Sequence, residues 1–502
     1  MAQNKKIKHL KQIYMIIGIL FCVLFVIKIV CNSTNALGDM FYLLSTGRYI
    51  ADTKTIPQMN PFTQDPTRKI VIQNWLSCLW DYLLYSKFGE YAFFVFVLIM
   101  SAVACFVLYK YISLYTKNLV RKLSIMILCL ISMNQIFNLR AGLVTFIVLI
   151  LEQIILKKYY DGQQKKLIWL LPVFSVFLVN HQASYWLFLF IFALPYIVPC
   201  PVNMTFARVK EHFIKNGKLL IALLVSFAAG FLNPYGTKSM FYLLYSYGSA
   251  SKSGIIEELA SPRIWTVYSL MILAILASMI CVWKMRGRKA IPSYIIYLTI
   301  GICILAMLAI KNCWLLPICA VPVFTLKENV VENYNKEITT GQKYIIGIGA
   351  VVMLFFMYQV SSDLTYKPML ENAYAIIPHK AVEYLDQYNK EDVKIFSHTL
   401  QNNFLEWNGY KVYMDSRPEV YNEKLSGGRD LYDDIVKIIQ GTMDYGDFLE
   451  KNQFTHVITY INNDSENLNC LDVYMQNCDK YKLVYESEAA GYKLYERADF
   501  AG

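Results

Sequence analysis

Long apolar runs separated by short polar segments fill this chain up to about residue 360. They lie near 14–31, 91–109, 123–137, 141–156, 167–179, 184–198, 219–232, 266–283, 290–310, 313–326 and 344–360. A helix needs roughly 20 residues to cross a bilayer, and the shorter runs extend into flanking Tyr, Trp, Asn and Gly. The pattern predicts a polytopic α-helical protein of about eleven transmembrane helices, its outer surface facing a lipid bilayer. The first run is followed by Cys31-Asn32-Ser33-Thr34-Asn35, with no small-x-small cleavage signal, and reads as a retained helix rather than a signal peptide.

After residue 360 the pattern changes. Residues 393–397, 411–415 and 456–461 read as short buried strands, and 378–389, 430–440 and 444–452 as helices. Residues 481–486 and 491–496 read as a terminal hairpin through Ala489-Ala490. Alternating strands and helices predict a small α/β domain over 361–502, beside a membrane domain over 1–360.

Composition agrees with this division. Of 502 residues, 56% are hydrophobic and 17% charged, against about 25% charged in soluble domains. The net charge of +11 splits into two parts. Residues 1–360 hold 34 Lys+Arg against 13 Asp+Glu, and 361–502 hold 14 against 24. The basic part belongs to loops beside a membrane. No basic face with interleaved aromatics points to nucleic acid, and no CxxC supports a zinc or redox site.

Positive charge fixes the expected orientation, because basic short loops stay cytoplasmic. Segments 1–13, 110–122, 157–166, 199–218, 284–289 and 327–343 carry 23 Lys+Arg. Segments 32–90, 138–140, 180–183, 233–265 and 311–312 carry 10 over more residues. The N-terminus is therefore expected inside, and the long segments 32–90 and 233–265 and the tail outside. Nearly all the unusual polar interruptions then fall on the outer face: Gly38-Asp39, Asn138-Leu139-Arg140, Asn180-His181, Asn233-Pro234-Tyr235-Gly236 and Lys311-Asn312. Polar groups at membrane depth are costly and usually face a site, so a shared outer cavity is expected. Within 32–90, residues 41–50 and 74–84 read as helices lying in the interface plane, the first N-capped at Gly38-Asp39. Residues 248–262 read as a mobile polar segment.

Taken together, these outer motifs resemble the bacterial membrane glycosyltransferases of the GT-C fold class that carry an extracytoplasmic α/β tail. The motifs are Gly38-Asp39 with Gly47-Arg48, Ile56-Pro57, Asn60-Pro61-Phe62-Thr63, Asn74-Trp75-Leu76, Val179-Asn180-His181, Asn233-Pro234-Tyr235-Gly236 and Tyr410 through Asp415-Ser416-Arg417, in matching order over most of the chain. The resemblance implies a polyprenyl-phosphate-linked sugar as donor, an outer-face glycan or protein acceptor of the cell envelope, and the bacterial plasma membrane as location. It also implies that Asp39 is the catalytic acid of the first outer loop, serving as base or holding a divalent metal such as Mg or Mn. Asn74 stands where the family often has Glu, Asn60 where Asp is common, and Ala141 where Pro follows the Arg.

Glycosyl transfer from a lipid phosphate needs a base, cations for the leaving phosphate and an apolar groove for the prenyl chain. On this sequence Asp39 supplies the base, with His181 assisting proton transfer or orienting the acceptor. Arg48, Arg140 and Lys311 supply the cations, the two arginines with the better match to phosphate. Asn180, Asn233 and Tyr235 shape the cavity, and Asp415 and Arg417 contact the acceptor. Structural roles compete for each: a helix cap for Asp39, snorkelling for the cations, a local ion pair for Asp415 and Arg417. Two other functional classes stand beside the enzyme: a transporter or flippase of a lipid-linked or polar solute, and a non-catalytic envelope-assembly protein.

Overall fold

The computed structural model describes residues 2–32, 37–199, 210, 213–246, 256–326, 378–397, 399–460, 469–487 and 491–500. The run at 344–360 and the expected domain boundary near 360 lie outside these. The protein is mostly helical (68%) with one small sheet. In chain order the principal helices are α1 (Ala2–Asn32), α2 (Leu37–Thr53), α3 (Trp75–Phe88), α4 (Tyr91–Ser113), α5 (Leu119–Ser132), α6 (Gly142–Tyr160), α7 (Leu171–His181) and α8 (Trp186–Ile197). They continue with α9 (Gly217–Ala229), α10 (Val267–Arg286), α11 (Ser293–Leu308) and α12 (Leu316–Thr325).

Among the described residues, α4 and α10 are long and apolar enough to cross a membrane. Other apolar helices are shorter for an identifiable reason. The 3₁₀ turns Lys165–Leu170 and Ile310–Leu315 run directly into α7 and α12, each with a proline at its second residue, so one apolar run is shared between two helix types. Leu108, Leu130, Phe146, Leu149, Trp186 and Ile318 centre the core of this half.

The tail contributes α13 (His379–Leu385), α14 (Thr399–Trp407), α15 (Tyr432–Ile439), α16 (Tyr445–Asn452) and α17 (Asn469–Gln476). Its strands β1 (Ile395–Phe396), β2 (His456–Tyr460), β3 (Tyr481–Ser487) and β4 (Tyr492–Arg497) form a sheet in the order β1-β2-β4-β3. β1 runs parallel to β2; the other pairs are antiparallel. The expected hairpin is thus present, although its connecting residues Ala489 and Ala490 lie outside the described residues. The strand expected at 411–415 is not formed. Val412 makes single bridges to Thr63 and Ile395, because the chain turns at Asp415, whose side chain receives the following Arg417 backbone N–H. Helices α14 and α17 were not expected.

The segment 32–90 also departs from expectation. Rather than lying at an interface, α2 is enclosed: Met40, Phe41, Leu43, Leu44, Ser45 and Thr46 are all buried. Gly47 permits this, since a Cβ there would sit 2.1 Å from the Cys78 carbonyl oxygen of α3. Leu43, Ile70, Ile72 and Cys78 share a core with Phe396, Met414 and Tyr421 of the tail. Backbone hydrogen bonds from Val412 N to Phe62 O (2.9 Å) and from Lys69 N to Ser426 O (3.0 Å) join the two stretches. The tail and the segment 32–90 therefore fold around each other.

Candidate functional site

The enclosed α2 places Asp39, Tyr42 and Thr46 on one face, at the i, i+3 and i+7 positions of a helix. Asp39 lies inside the first turn, not before it, and its carboxylate reaches side chains from elsewhere in the chain. One oxygen, Oδ2, forms an ion pair with Arg140 Nη2. The other, Oδ1, accepts a hydrogen bond from Ser416 Oγ at 2.9 Å.

Arg140 is presented by a turn between α5 and α6. Asn138 Oδ1 accepts from the Arg140 backbone N–H at 3.0 Å, and Asn138 Nδ2 donates to Gln135 O at 2.8 Å, a side-chain turn of the kind Asn favours. The second arm of its guanidinium, Nη1, lies 3.1 Å from Glu258 Oε1. Burial works against the guanidinium charge, but the carboxylates of Asp39 and Glu258 outweigh it and raise the Arg140 pKa further.

Lys311 sits on the 3₁₀ turn between α11 and α12. It is exposed, forms no ion pair among the described residues, and faces Glu419 and Glu258 electrostatically. A backbone hydrogen bond from Ile310 N to Ala260 O (2.9 Å) ties this turn to the segment carrying Glu258. Glu419 Oε1 also accepts from Gln73 Nε2 at 3.2 Å.

Behind Ser416 lies a buried charged group. The Asp415 carboxylate takes Arg417 Nε (3.1 Å to each oxygen) and Tyr421 OH (3.0 Å). Arg417 Nη1 donates to Thr46 Oγ1 at 3.3 Å, and the guanidinium lies over the Tyr42 ring at 4.6 Å. Asp415 and Arg417 are 0% and 5% exposed. They hold each other and α2, and neither is placed to meet an acceptor directly. Glu406 is buried 3.9 Å from Arg417 Nη2, with no hydrogen bond to either carboxylate oxygen among the described residues. Burial, reinforced by the Asp415 charge, pushes its pKa well above the ordinary carboxylate range.

The remaining expected residues fall around this cluster. Asn180 bolts three elements together: its Oδ1 accepts from Trp75 Nε1 (3.0 Å) and its Nδ2 donates to Val176 O (2.8 Å) and Leu232 O (2.9 Å). Asn233 closes its own turn by donating to Gly230 O and Gly236 O, and Tyr235 OH donates to Pro57 O at 3.0 Å. These three are wall-building contacts. His181 is buried, with Nε2 3.3 Å from Ala141 O and its ring stacked on Phe177 at 4.8 Å. It braces the turn that follows Arg140. Arg48 is nine residues from Asp39, about two and a half helical turns, and leaves the opposite face of α2. Its Nη2 donates to Trp407 O at 2.6 Å and its guanidinium lies over the Trp407 ring at 4.1 Å.

Ser416, Glu258, Glu419 and Glu406 were missed in the sequence. Ser416 lay between two residues that drew attention by their charge, and Glu258 within a segment read as mobile. In this arrangement Asp39 is held by a guanidinium and a hydroxyl rather than beside further carboxylates. Arg140 and Ser416 occupy both Asp39 oxygens, the guanidinium stands between Asp39 and Glu258, and no three His, Cys, Asp or Glu side chains converge among the described residues. Compared with known proteins, the chain matches no family model and no curated protein.

Proposed function

We propose that this protein is a GT-C-like membrane glycosyltransferase of about eleven spans, with its N-terminus in the cytoplasm and its tail outside a bacterial plasma membrane. It transfers a sugar from a polyprenyl-phosphate donor to a hydroxyl of an extracytoplasmic glycan or protein. The observation that carries this reading is the contact of Asp39, Arg140 and Ser416, drawn from three remote stretches of the chain, with exposed Lys311 facing the same carboxylate, Glu258. Support for a lipid-facing surface comes from α4 and α10, which leave Val95, Ile99, Phe106, Leu273, Ile280 and Trp283 exposed.

In the reaction the donor phosphate is met by Arg140 and Lys311. As the phosphate takes the guanidinium, Asp39 Oδ2 is released to accept the acceptor hydroxyl proton. The acceptor oxygen bonds to the anomeric carbon while the bond from that carbon to the phosphate oxygen breaks, and the electron pair leaves with the polyprenyl phosphate. Exposed Ile264, Trp265 and Leu308, close in sequence to Glu258 and Lys311, offer apolar surface for the prenyl chain. Purified protein in liposomes is expected to transfer or hydrolyse the sugar of such a donor, and Asp39→Asn to remove that activity.

One observation favours a second reading, a solute transporter. The helix α6 is 19 residues long, about 28 Å at ~1.5 Å per residue, and Glu152 lies near its middle, not at an end. It is 0% exposed, with neither oxygen hydrogen-bonded among the described residues. Intramembrane carboxyls of this kind mark solute pathways. Inert protein across donors, together with solute flux lost in Glu152→Gln, would replace the enzyme by the transporter.

A further inference from the structure

From the tail, the side chain of Ser416 presents a donor to Asp39. Ser416 Oγ donates to Asp39 Oδ1 at 2.9 Å and accepts from Asn403 Nδ2 at 2.8 Å, and its backbone N–H donates to Asn403 Oδ1 at 3.1 Å. Asn403 thus grips residue 416 by both its backbone and its side chain. A hydroxyl that already accepts from Asn403 Nδ2 has its proton directed elsewhere, here toward Asp39.

The neighbours of Ser416 in sequence hold it still. Asp415 and Arg417 form a buried bidentate pair, further fixed by Tyr421 OH on one side and by Thr46 Oγ1 on the other. Arg417 also covers the ring of Tyr42, one helical turn from Asp39. Such an arrangement takes two charges out of water at a desolvation cost, which a surface loop has no reason to bear. Its geometric result is that Ser416 cannot move without disturbing α2.

We infer that Ser416 is a positioning residue of the site: the tail supplies the hydroxyl that fixes one Asp39 oxygen, so that the other faces Arg140 and the reacting atoms. The tail then completes the site, and Asp415 and Arg417 serve it by locking residue 416. This rests on the glycosyltransferase reading for its chemical consequence, though the coupling between tail and Asp39 stands apart from it.

Two measurements on the full chain in liposomes separate these. With a polyprenyl-phosphate sugar, Ser416→Ala is expected to lower kcat by about 10- to 100-fold, the weight of one hydrogen bond to a charged group. KM for the donor stays within about twofold, and Ser416→Thr, which keeps the hydroxyl, restores most of the loss. An unchanged kcat, a change in KM alone, or equal loss in the Thr variant overturns the inference. If wild type is inert toward all such donors, the enzyme reading fails by itself, and a thermal-unfolding cycle of Asp39→Asn with Ser416→Ala decides the coupling. Non-additive shifts in Tm support the tail contact as drawn; additive shifts overturn it.

Discussion

Helices α2 and α10 are both rich in apolar residues, yet they end in opposite surroundings. The first buries Met40, Phe41, Leu43 and Leu44 between α3 and the tail; the second leaves Val267, Leu270, Leu273, Ile280 and Trp283 exposed. The difference lies in what each helix allows its neighbours to do. Gly47 lets the backbone of α3 come against α2, with the Cys78 carbonyl where a side chain would otherwise stand. Among the described residues no comparable approach covers the exposed face of α10, and in the proposed reading a bilayer lies against it. A small residue at close approach thus lets a neighbouring helix enclose α2, which is also less uniformly apolar than α10.

The sharpest way to break this contrast is Gly47→Ala. The new Cβ would lie 2.1 Å from a backbone oxygen and 2.5 Å from Tyr82 Cβ, and neither helix can yield locally. Overpacking costs about 1–3 kcal/mol and occasionally more; with backbone on one side, a cost above about 3 kcal/mol is expected. It should appear as a large fall in Tm together with loss of any activity that depends on Asp39. Gly301→Ala in α11 is the control: no atom lies within 4 Å of the added Cβ, and stability should hold or rise slightly through better helix propensity. Equal melting of both variants would mean that α2 is not locked against α3.

Next in size is Leu273→Lys, on the exposed face of α10. If that face meets lipid, a charge near the helix centre costs about 2.5–3.5 kcal/mol in the membrane. If it meets water, an exposed substitution of this kind changes stability by less than about 0.5 kcal/mol. Membrane insertion and the yield of folded protein in detergent distinguish the two. An unaffected Leu273→Lys variant would remove the bilayer from around α10.

The same contrast explains what could be read from the sequence. The helices between residues 91 and 326 were legible because their apolar runs are long and their breaks polar. The strand–helix character of the tail was legible from alternation, as in β2 and the β3–β4 hairpin. What failed was pairwise. Residues 411–415 alternate like a strand, but the Asp415–Arg417 pair and the Phe62–Val412 backbone bond turn them into a connection. The site was legible as a set of polar turns between apolar runs, and Asp39 with Arg140 did come together. Glu258, Ser416 and Glu419 were not visible, because a lone Glu or Ser on a loop acquires meaning only from a partner more than a hundred residues away. Arg48 illustrates the reverse error: placed on the same short helix as Asp39, it points away by helical geometry alone.

The smallest effect expected is in the tail, where two buried carboxyls stand in opposite circumstances. Glu496 is met by Lys482, Tyr384, Tyr388 and His456; burial disfavours its charge, but these partners win and bring its pKa down to about 2. Its stabilisation is present above the ordinary carboxylate range and is lost as pH falls toward 2. His456 beside it, pushed down to about 4 by burial, adds to acid lability, since protonating it in the folded state is unfavourable below the pH at which the unfolded chain takes the proton. Among the described residues Glu406 has no hydrogen bond to offset burial, and its pKa is raised. A raised carboxyl contributes stability that is complete below its unfolded pKa, near 4.3, and that drains away as pH climbs toward the folded value. The tail should therefore lose stability on the alkaline side through Glu406 and on the acid side through Glu496 and His456. Glu406→Gln keeps the shape and removes the titration, so its Tm should exceed that of wild type by a few degrees near pH 8, with the gap closing toward pH 4. A gap that stays constant with pH would mean that Glu406 is ionised beside Arg417, and that two carboxylates share one guanidinium beneath Asp39.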